Sequence, residues 1–271
     1  MSKGIRKHLK RLHAPKSWRL DKTGGKYAPM PTVGSHPRRE SIPLSILLRR
    51  YLKVAPSMKE LVYILGKKII LVNGVVRTDT TYPLGIMDVL TIQSTNEHYR
   101  VMYDVFKKFV LHKIDAEESN IKVCKVIKKK ICKKNVPYIY TADGYSFRYC
   151  DPKIKTNDSL IVDIKEMKVI GFLPYANDMK VFVKKGKNAG CAGTITSIEK
   201  HDAKVDFVHI VDSKGRSFAT KVDNSIVIGD QEKIYVSLPA GEGIKLSEVD
   251  KSNERFGGAV VSNSKVQVDE E

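Results

Sequence analysis

The chain has few cysteines, and none sits where a metal would want it. Cys124, Cys132, Cys150 and Cys191 form no C-x-x-C pair and fall at no zinc-type spacing with histidine. Free thiols in a reducing, intracellular setting are therefore expected, with no metal. No run of about 18 apolar residues occurs, so no membrane-spanning helix is expected. The basic N-terminus lacks the apolar stretch of a signal peptide. Catalytic loops are missing as well: there is no G-x-x-x-x-G-K-S/T, no G-x-G-x-x-G after a strand, no H-E-x-x-H and no G-x-S-x-G. His201-Asp202 is the one adjacent acid–base pair, and neighbours on a strand face opposite ways, which makes a poor dyad. The expectation is a non-enzyme with no cofactor and no small-molecule substrate.

What the chain has in excess is positive charge. Among 271 residues, 48 are Lys or Arg and 30 are Asp or Glu, a formal net charge of +18. Such a balance favours polyanionic partners; nucleic acid leads, with anionic membrane surfaces and acidic proteins still open. A hydrophobic content of 42% is enough to offset the entropy of ordering, so wholesale disorder is excluded. The length suggests about two domains.

The charge is not spread evenly. Residues 1–22 carry Lys3, Arg6, Lys7, Lys10, Arg11, Lys16, Arg19 and Lys22 against the single acid Asp21. Residues 23–40 then hold six glycines and prolines, followed by Arg38 and Arg39 at the end. Residues 1–40 thus read as an extended basic arm, ordered only against a partner. Trp18, the single tryptophan, implies that the arm packs on something, and with His8 and His13 it is expected to stack on exposed bases.

Residues 41–92 read as two helices and a small sheet. Ser41 is placed to cap a first helix, with Pro43 in its first turn and Leu44, Leu47, Leu48, Tyr51 and Leu52 on one face. Arg49, Arg50 and Lys53 fall largely off that face. Pro56 ends it, and Ser57-Met58-Lys59-Glu60 is a capping box for a second helix that runs to Gly66. Beyond Lys67 and Lys68, the strands around Asn73-Gly74 read as a hairpin, with Arg77 on the return and a last strand at 88–92.

From 93 to 177 the apolar period is two, with turns at Asp143-Gly144 and Asp151-Pro152, which predicts a β-barrel or sandwich. Residues 122–134 hold seven lysines, Lys128, Lys129 and Lys130 among them. They alternate in part with Val123, Val126, Ile127 and Ile131, as in a strand pair with one buried and one cationic face. Short strands continue over 178–246. Residues 247–271 carry six acids against three bases and are expected to be a mobile tail or a fraying helix at 247–255.

Two constellations ask for a function. The helix–helix–hairpin order of 41–92, with its basic face, resembles the α-L RNA-binding fold. The spacing Gly186-x-Asn188-x-Gly190-x-x-Gly193-x-Ile195 looks like a KOW motif, in which a tight loop brings backbone amides and Lys184, Lys185 and Lys187 to RNA phosphates.

The co-linear match extends further. It includes Gly4 to Pro15, Trp18 to Lys22, Glu40 to Leu44, Val72 to Asp79 and Tyr82 to Val89, then Phe218-Ala219-Thr220, Val227-Ile228-Gly229, Ser237-Leu238-Pro239 and Gly243 to Leu246. Over about residues 1–246 the chain resembles the S-four-e family of eukaryotic and archaeal small-subunit ribosomal proteins. The resemblance implies an α+β, predominantly β chain: arm 1–40, α-L module 41–92, central β domain 93–177, KOW-containing SH3-like β-barrel 178–246 and acidic tail 247–271. It implies a non-catalytic constituent of the small (40S) subunit that binds its ribosomal RNA and neighbouring subunit proteins. Such a protein works in the cytoplasm, with passage through the nucleus and nucleolus during assembly if it is eukaryotic. Cys191 and Ala192 depart from the family pattern, so a weaker RNA grip by that loop is expected, and Glu242 separately stands where a lysine is usual. An RNA-modifying enzyme with an appended α-L module and a free KOW-type RNA-binding factor are the alternative readings.

Overall fold

Strand outweighs helix, and among the described residues three five-stranded antiparallel sheets hold most of the strands. The computed structural model describes residues 8–202 and 204–256. The first sheet orders Val75–Val76, Ile70–Val72, Val89–Ile92, Glu97–Tyr103 and Phe109–Ile114. Its hairpin turns on Asn73 (φ 49°) and Gly74 (φ 74°), the left-handed pair whose twist matches that of the flanking strands. The sheet does not stop at residue 92: Val89–Ile92 pairs directly with residues 97–100, and the next strand completes the layer.

Two helices cover this sheet. The first spans 44–51 and is not capped by Ser41. Residues Ile42–Pro43 instead pair with Pro83–Leu84 as a short ladder, and Ser41 is buried. Proline at 43 has no N–H to give, yet it sits comfortably in a two-residue edge ladder. The helix widens at its end, where Leu52 N–H reaches the Leu47 carbonyl at 3.0 Å, and Lys53 then takes φ 56°. The second helix, Met58–Gly66, starts as expected, with Ser57 Oγ accepting from Glu60 N–H at 3.2 Å. Leu61 and Leu65 are its buried residues.

The second sheet orders Ser146–Arg148, Pro137–Thr141, Ile121–Ile131, Ser159–Asp163 and Val169–Leu173. Among the described residues no pairing joins its edge strands, so it is an open sheet; Ile161 and Leu173 pack it on the third. The long strand 121–131 changes partner midway. Its first half pairs with Ser159–Asp163 and its second, past a bulge at Val126–Lys128, with Pro137–Thr141. The expected division into one apolar and one cationic face fails on this strand. Lys122 and Lys125 are buried, while Ile127 and Ile131 are 61% and 67% exposed. The lysines go inward because carboxylates and carbonyls from other segments meet them there.

The third sheet orders Ser217–Lys221, Phe207–Val211, Ala192–Glu199, Lys180–Val183 and Ser225–Gly229. The helix Glu248–Phe256 follows, tied back by an Arg216–Asp250 ion pair. The rest of the tail, 257–271, lies outside the described residues.

The arm is not a bystander waiting for RNA. Leu9–Lys10 pairs with Tyr27–Ala28, and Trp18 is wholly buried with its indole N–H on the Ser41 carbonyl at 2.9 Å. Trp18 shares one apolar cluster with Leu44, Leu65 and Met102, and with Phe182, Ile226 and Val236 of the third layer. It therefore cannot stack on a base, and the expectation that it would is corrected. A large ring with one donor gains most where its carbon is dry and its N–H is satisfied.

A buried polar cluster joins the arm to the first two sheets. Asp88 accepts from Lys122 Nζ at 2.6 Å, Asn73 Nδ2 at 2.8 Å and Gly85 N–H at 2.8 Å, and His36 Nε2 lies 2.9 Å away. Lys122 also reaches Asp143 at 3.2 Å and lies over the Tyr145 ring. Burial opposes charge on His36, but the Asp88 carboxylate beside it outweighs burial and raises the imidazole pKa. Burial likewise opposes ionised Asp88, yet Lys122 and His36 hold its carboxyl well below the usual range.

Two outcomes are expected. Trp18→Ala should cost about 3–5 kcal/mol in denaturant unfolding. A raised imidazole pKa stabilises the fold fully below about pH 6.5 and loses that contribution as pH climbs through the raised value. The wild-type melting temperature minus that of His36→Gln should therefore shrink from about pH 6 to about pH 9. A pH-independent difference would show that His36 is not charged in the fold.

Candidate nucleic-acid interface

The expected RNA-facing cations separate by what their own chain already does with them. Lys3, Arg6 and Lys7 lie outside the described residues. On the rest of the arm, Lys10, Lys16, Lys22, Arg38 and Arg39 are exposed, as is His13, and none has a side-chain partner among the described residues. His8 packs on the Tyr27 ring at 5.3 Å. Arg19 is paired with Asp104 at 3.2 Å, and Arg50 with Asp21, whose carboxyl pKa it lowers through hydrogen bond and charge together.

Arm and first helix together frame a cleft of about 510 Å³, lined by Arg11, Tyr27, Arg49, Arg50 and Met58 among others. Arg11 Nε is buried there without a partner, and Arg49 donates to the Pro56 carbonyl at 2.9 Å. Three guanidinium groups around one concavity suit a phosphate backbone, since each offers a planar fork of donors. Tyr27, with the Lys26 ammonium over its ring, was not singled out from sequence. Its two-residue pairing with Leu9–Lys10 brings it here, and no local periodicity announces so short a ladder.

Around the first sheet, Lys53 and Lys68 are exposed without a side-chain partner among the described residues. Lys67 lies over the Tyr63 ring and Arg77 over Tyr82, each at 4.5 Å. On the second sheet, Lys128 and Lys130 point to solvent, but Lys129 turns back to the Pro152 and Ile154 carbonyls at 2.8 and 3.3 Å.

The loop 184–190 keeps only part of its expected role. Lys187 is exposed, whereas Lys185 pairs with Glu40 of the arm at 3.0 Å. Lys184 is drawn inward, and burial lowers its ammonium pKa. It lines a cavity of about 320 Å³ with Lys125, His36 and Asp143. Lys125 donates to the Val222 and Ser225 carbonyls, and burial brings its pKa down to about 7. The Asn188 carbonyl accepts from Cys191 N–H at 3.1 Å, closing the turn.

Gly190 faces the chain's own interior. It is buried at φ 95°, and a Cβ there would lie 2.1 Å from the Asp104 carbonyl oxygen. The close approach that its glycine permits is to the chain's own first sheet. Cys191 and Ala192 are buried as well, with Ala192 N–H on the Gly243 carbonyl, so their departures from the family pattern fall in packing rather than on an outer face.

Among the described residues, no group of three or more His, Cys, Asp and Glu side chains is placed to hold a metal. No described helix is long and apolar enough to cross a membrane.

Known proteins resemble this chain over nearly all its length. The RS4NT domain matches residues 3–39, "Ribosomal family S4e" residues 95–169, and "40S ribosomal protein S4 C-terminus" residues 212–257. Small ribosomal subunit protein eS4 of Bombyx mori is 46% identical over 97% of this chain and 100% of its own. That of Spodoptera frugiperda is 45% identical over 96% and 99%. The crystal structure of 30S ribosomal protein S4e from Thermoplasma acidophilum superposes with a TM-score of 0.63 at 30% identity, covering 73% of this chain and 99% of that one.

Gly190→Ala should lower the melting temperature by several degrees, because both φ and the Asp104 contact must change. Lys187→Ser, one loop residue away from any packing, should leave it unchanged. Equal melting of the two variants would contradict the packed position of Gly190.

Proposed function

The chain belongs to the ribosomal S4e family, and on that premise we propose that it holds small-subunit ribosomal RNA by its phosphates as a structural constituent of the subunit. It is not an enzyme. The observation that carries the RNA-binding reading is the set of exposed cations left without partners by the fold: Lys10, Lys16, Lys22, Arg38, Arg39, Lys53, Lys68, Lys128, Lys130 and Lys187. A chain that buries and pairs so many of its other cations, yet leaves these bare on several segments, is built to meet a distributed polyanion.

The finer assignments follow the same reading. Residues 41–92 act as an α-L module, supported by the two helices and the Asn73-Gly74 hairpin. The loop between Lys180–Val183 and Ala192–Glu199 acts as a KOW loop, supported by its position between two paired strands. It presents Lys187, and its glycine end serves internal packing. Recognition is chiefly of RNA shape, because the deep groove of an A-form helix hides its base edges. Neighbouring subunit proteins are the further partners, and the protein works on cytoplasmic ribosomes after nucleolar assembly.

If about 6–10 phosphates are engaged, affinity for subunit RNA should fall by about 10³–10⁵ between about 50 and about 200 mM salt. In a sucrose gradient of lysate at moderate and high salt, the protein should travel stoichiometrically with the small subunit. Recovery only at the top of the gradient would indicate a free RNA-binding factor instead.

A further inference from the structure

The hairpin at the outer end of the second sheet carries a face that phosphate binding does not explain. Its register sets Lys128 opposite Tyr140, Lys130 opposite Tyr138, Tyr138 opposite Arg148 and Tyr140 opposite Ser146. Directly opposed residues share a face, and residues two apart along a strand share it too. Lys128, Lys130, Tyr138, Tyr140, Ser146 and Arg148 therefore stand together on one side. The other side is occupied: Ile139 is buried, Phe147 packs on the second-sheet core, and Lys129 is bound to carbonyls. The first side faces solvent, with both tyrosines half-exposed.

The two rings lie nearly parallel, 16° between planes and 6.2 Å between centroids, as a stacked rather than an edge-on pair. The Tyr140 hydroxyl lies 3.7 Å from Cys132 Sγ, which anchors one end of the pair. Lys128, Lys130 and Arg148 border it, and none has a side-chain partner among the described residues. From Ser119 to Cys150 the single acid is Asp143, and it is already engaged with buried Lys122. The face thus joins two open π surfaces to three unneutralised cations with no carboxylate among them.

We propose that this face is a base-stacking site for unpaired RNA: two successive unstacked bases lie on Tyr138 and Tyr140 while Lys128, Lys130 and Arg148 take the phosphates beside them. Phosphates alone need no parallel rings, and a protein partner would be expected to answer three cations with acids rather than with π faces. A base inside an A-form duplex has both faces covered by its neighbours, so only a loop, bulge or end can offer what the tyrosines bind. The site rests on the RNA-binding reading above and specifies the kind of RNA at one place.

The test uses the full chain and two probes, a single-stranded oligouridylate of about eight nucleotides and a duplex of matched length. Replacing both rings, Tyr138→Leu with Tyr140→Leu, should weaken single-strand binding by at least about fivefold for each base unstacked. Duplex binding should be unchanged. The pair Tyr138→Phe with Tyr140→Phe should bind as the wild type does, since stacking needs the ring and not the hydroxyl. If the leucine pair melts early, Tyr138→Thr with Tyr140→Thr suits a strand and keeps the test open. Unaltered single-strand binding in the ring-less variants would overturn the site, as would equal loss on the duplex or equal loss in the phenylalanine pair. Failure of the wild type to bind either probe would overturn the RNA-binding reading itself.

Discussion

The Asp88 carboxylate, wholly buried, is the point on which the architecture turns. It sits at the entry to a first-sheet strand and takes Lys122 from the second sheet, His36 from the arm, and Asn73 from the hairpin beside it. An isolated carboxylate could not stay ionised there, and neither could Lys122; each makes the other tolerable. Such a pair is weak grounds for extra stability over an apolar alternative of the same shape. Removing one partner is another matter, because a stranded buried charge costs about 3–5 kcal/mol. What the cluster supplies is a single register between three segments that apolar packing alone would let slide.

The same logic recurs at the other joints. Lys125 of the second sheet donates to carbonyls at the entry to the Ser225–Gly229 strand, and Ser159 Oγ accepts from Val227 N–H at 3.1 Å. Arg100, fully buried, binds Glu118 and the carbonyls of Glu118 and Ile121, and Glu118 in turn holds Ser237. Formal charge therefore overstates what is on offer to a partner. Part of it is consumed as internal fastening, and the part that remains is spread over every layer.

Legibility followed sequence distance. The Ser57 capping box and the Asn73-Gly74 hairpin were readable because donor and acceptor lie within three or four residues. The inward turn of Lys122 was not, because its partner is 34 residues upstream and a lysine between Ile121 and Val123 looks like a cationic face. Trp18 announced that it needed a neighbour without saying that the neighbour was the Ser41 carbonyl and a core reaching to Val236. Gly190 shows the limit most clearly. Glycine spacing reports that something approaches closely, but not whether it is a phosphate or the Asp104 backbone. The paired Tyr138 and Tyr140 were visible as a strand, yet their shared face with Arg148 needs the register of three strands.

One apolar cluster takes in both Trp18 and Val236, so nearly the whole chain separates its first member from its last. A ribosome synthesises the N-terminal end first, so Trp18 emerges long before Phe182, Ile226 and Val236, which complete its cluster. Until then the arm has no finished seat, and a strongly cationic, tryptophan-bearing segment trails from the nascent chain. The seat of Trp18 can be complete only once those distant residues are present, and until then the cationic arm is open to stray polyanions.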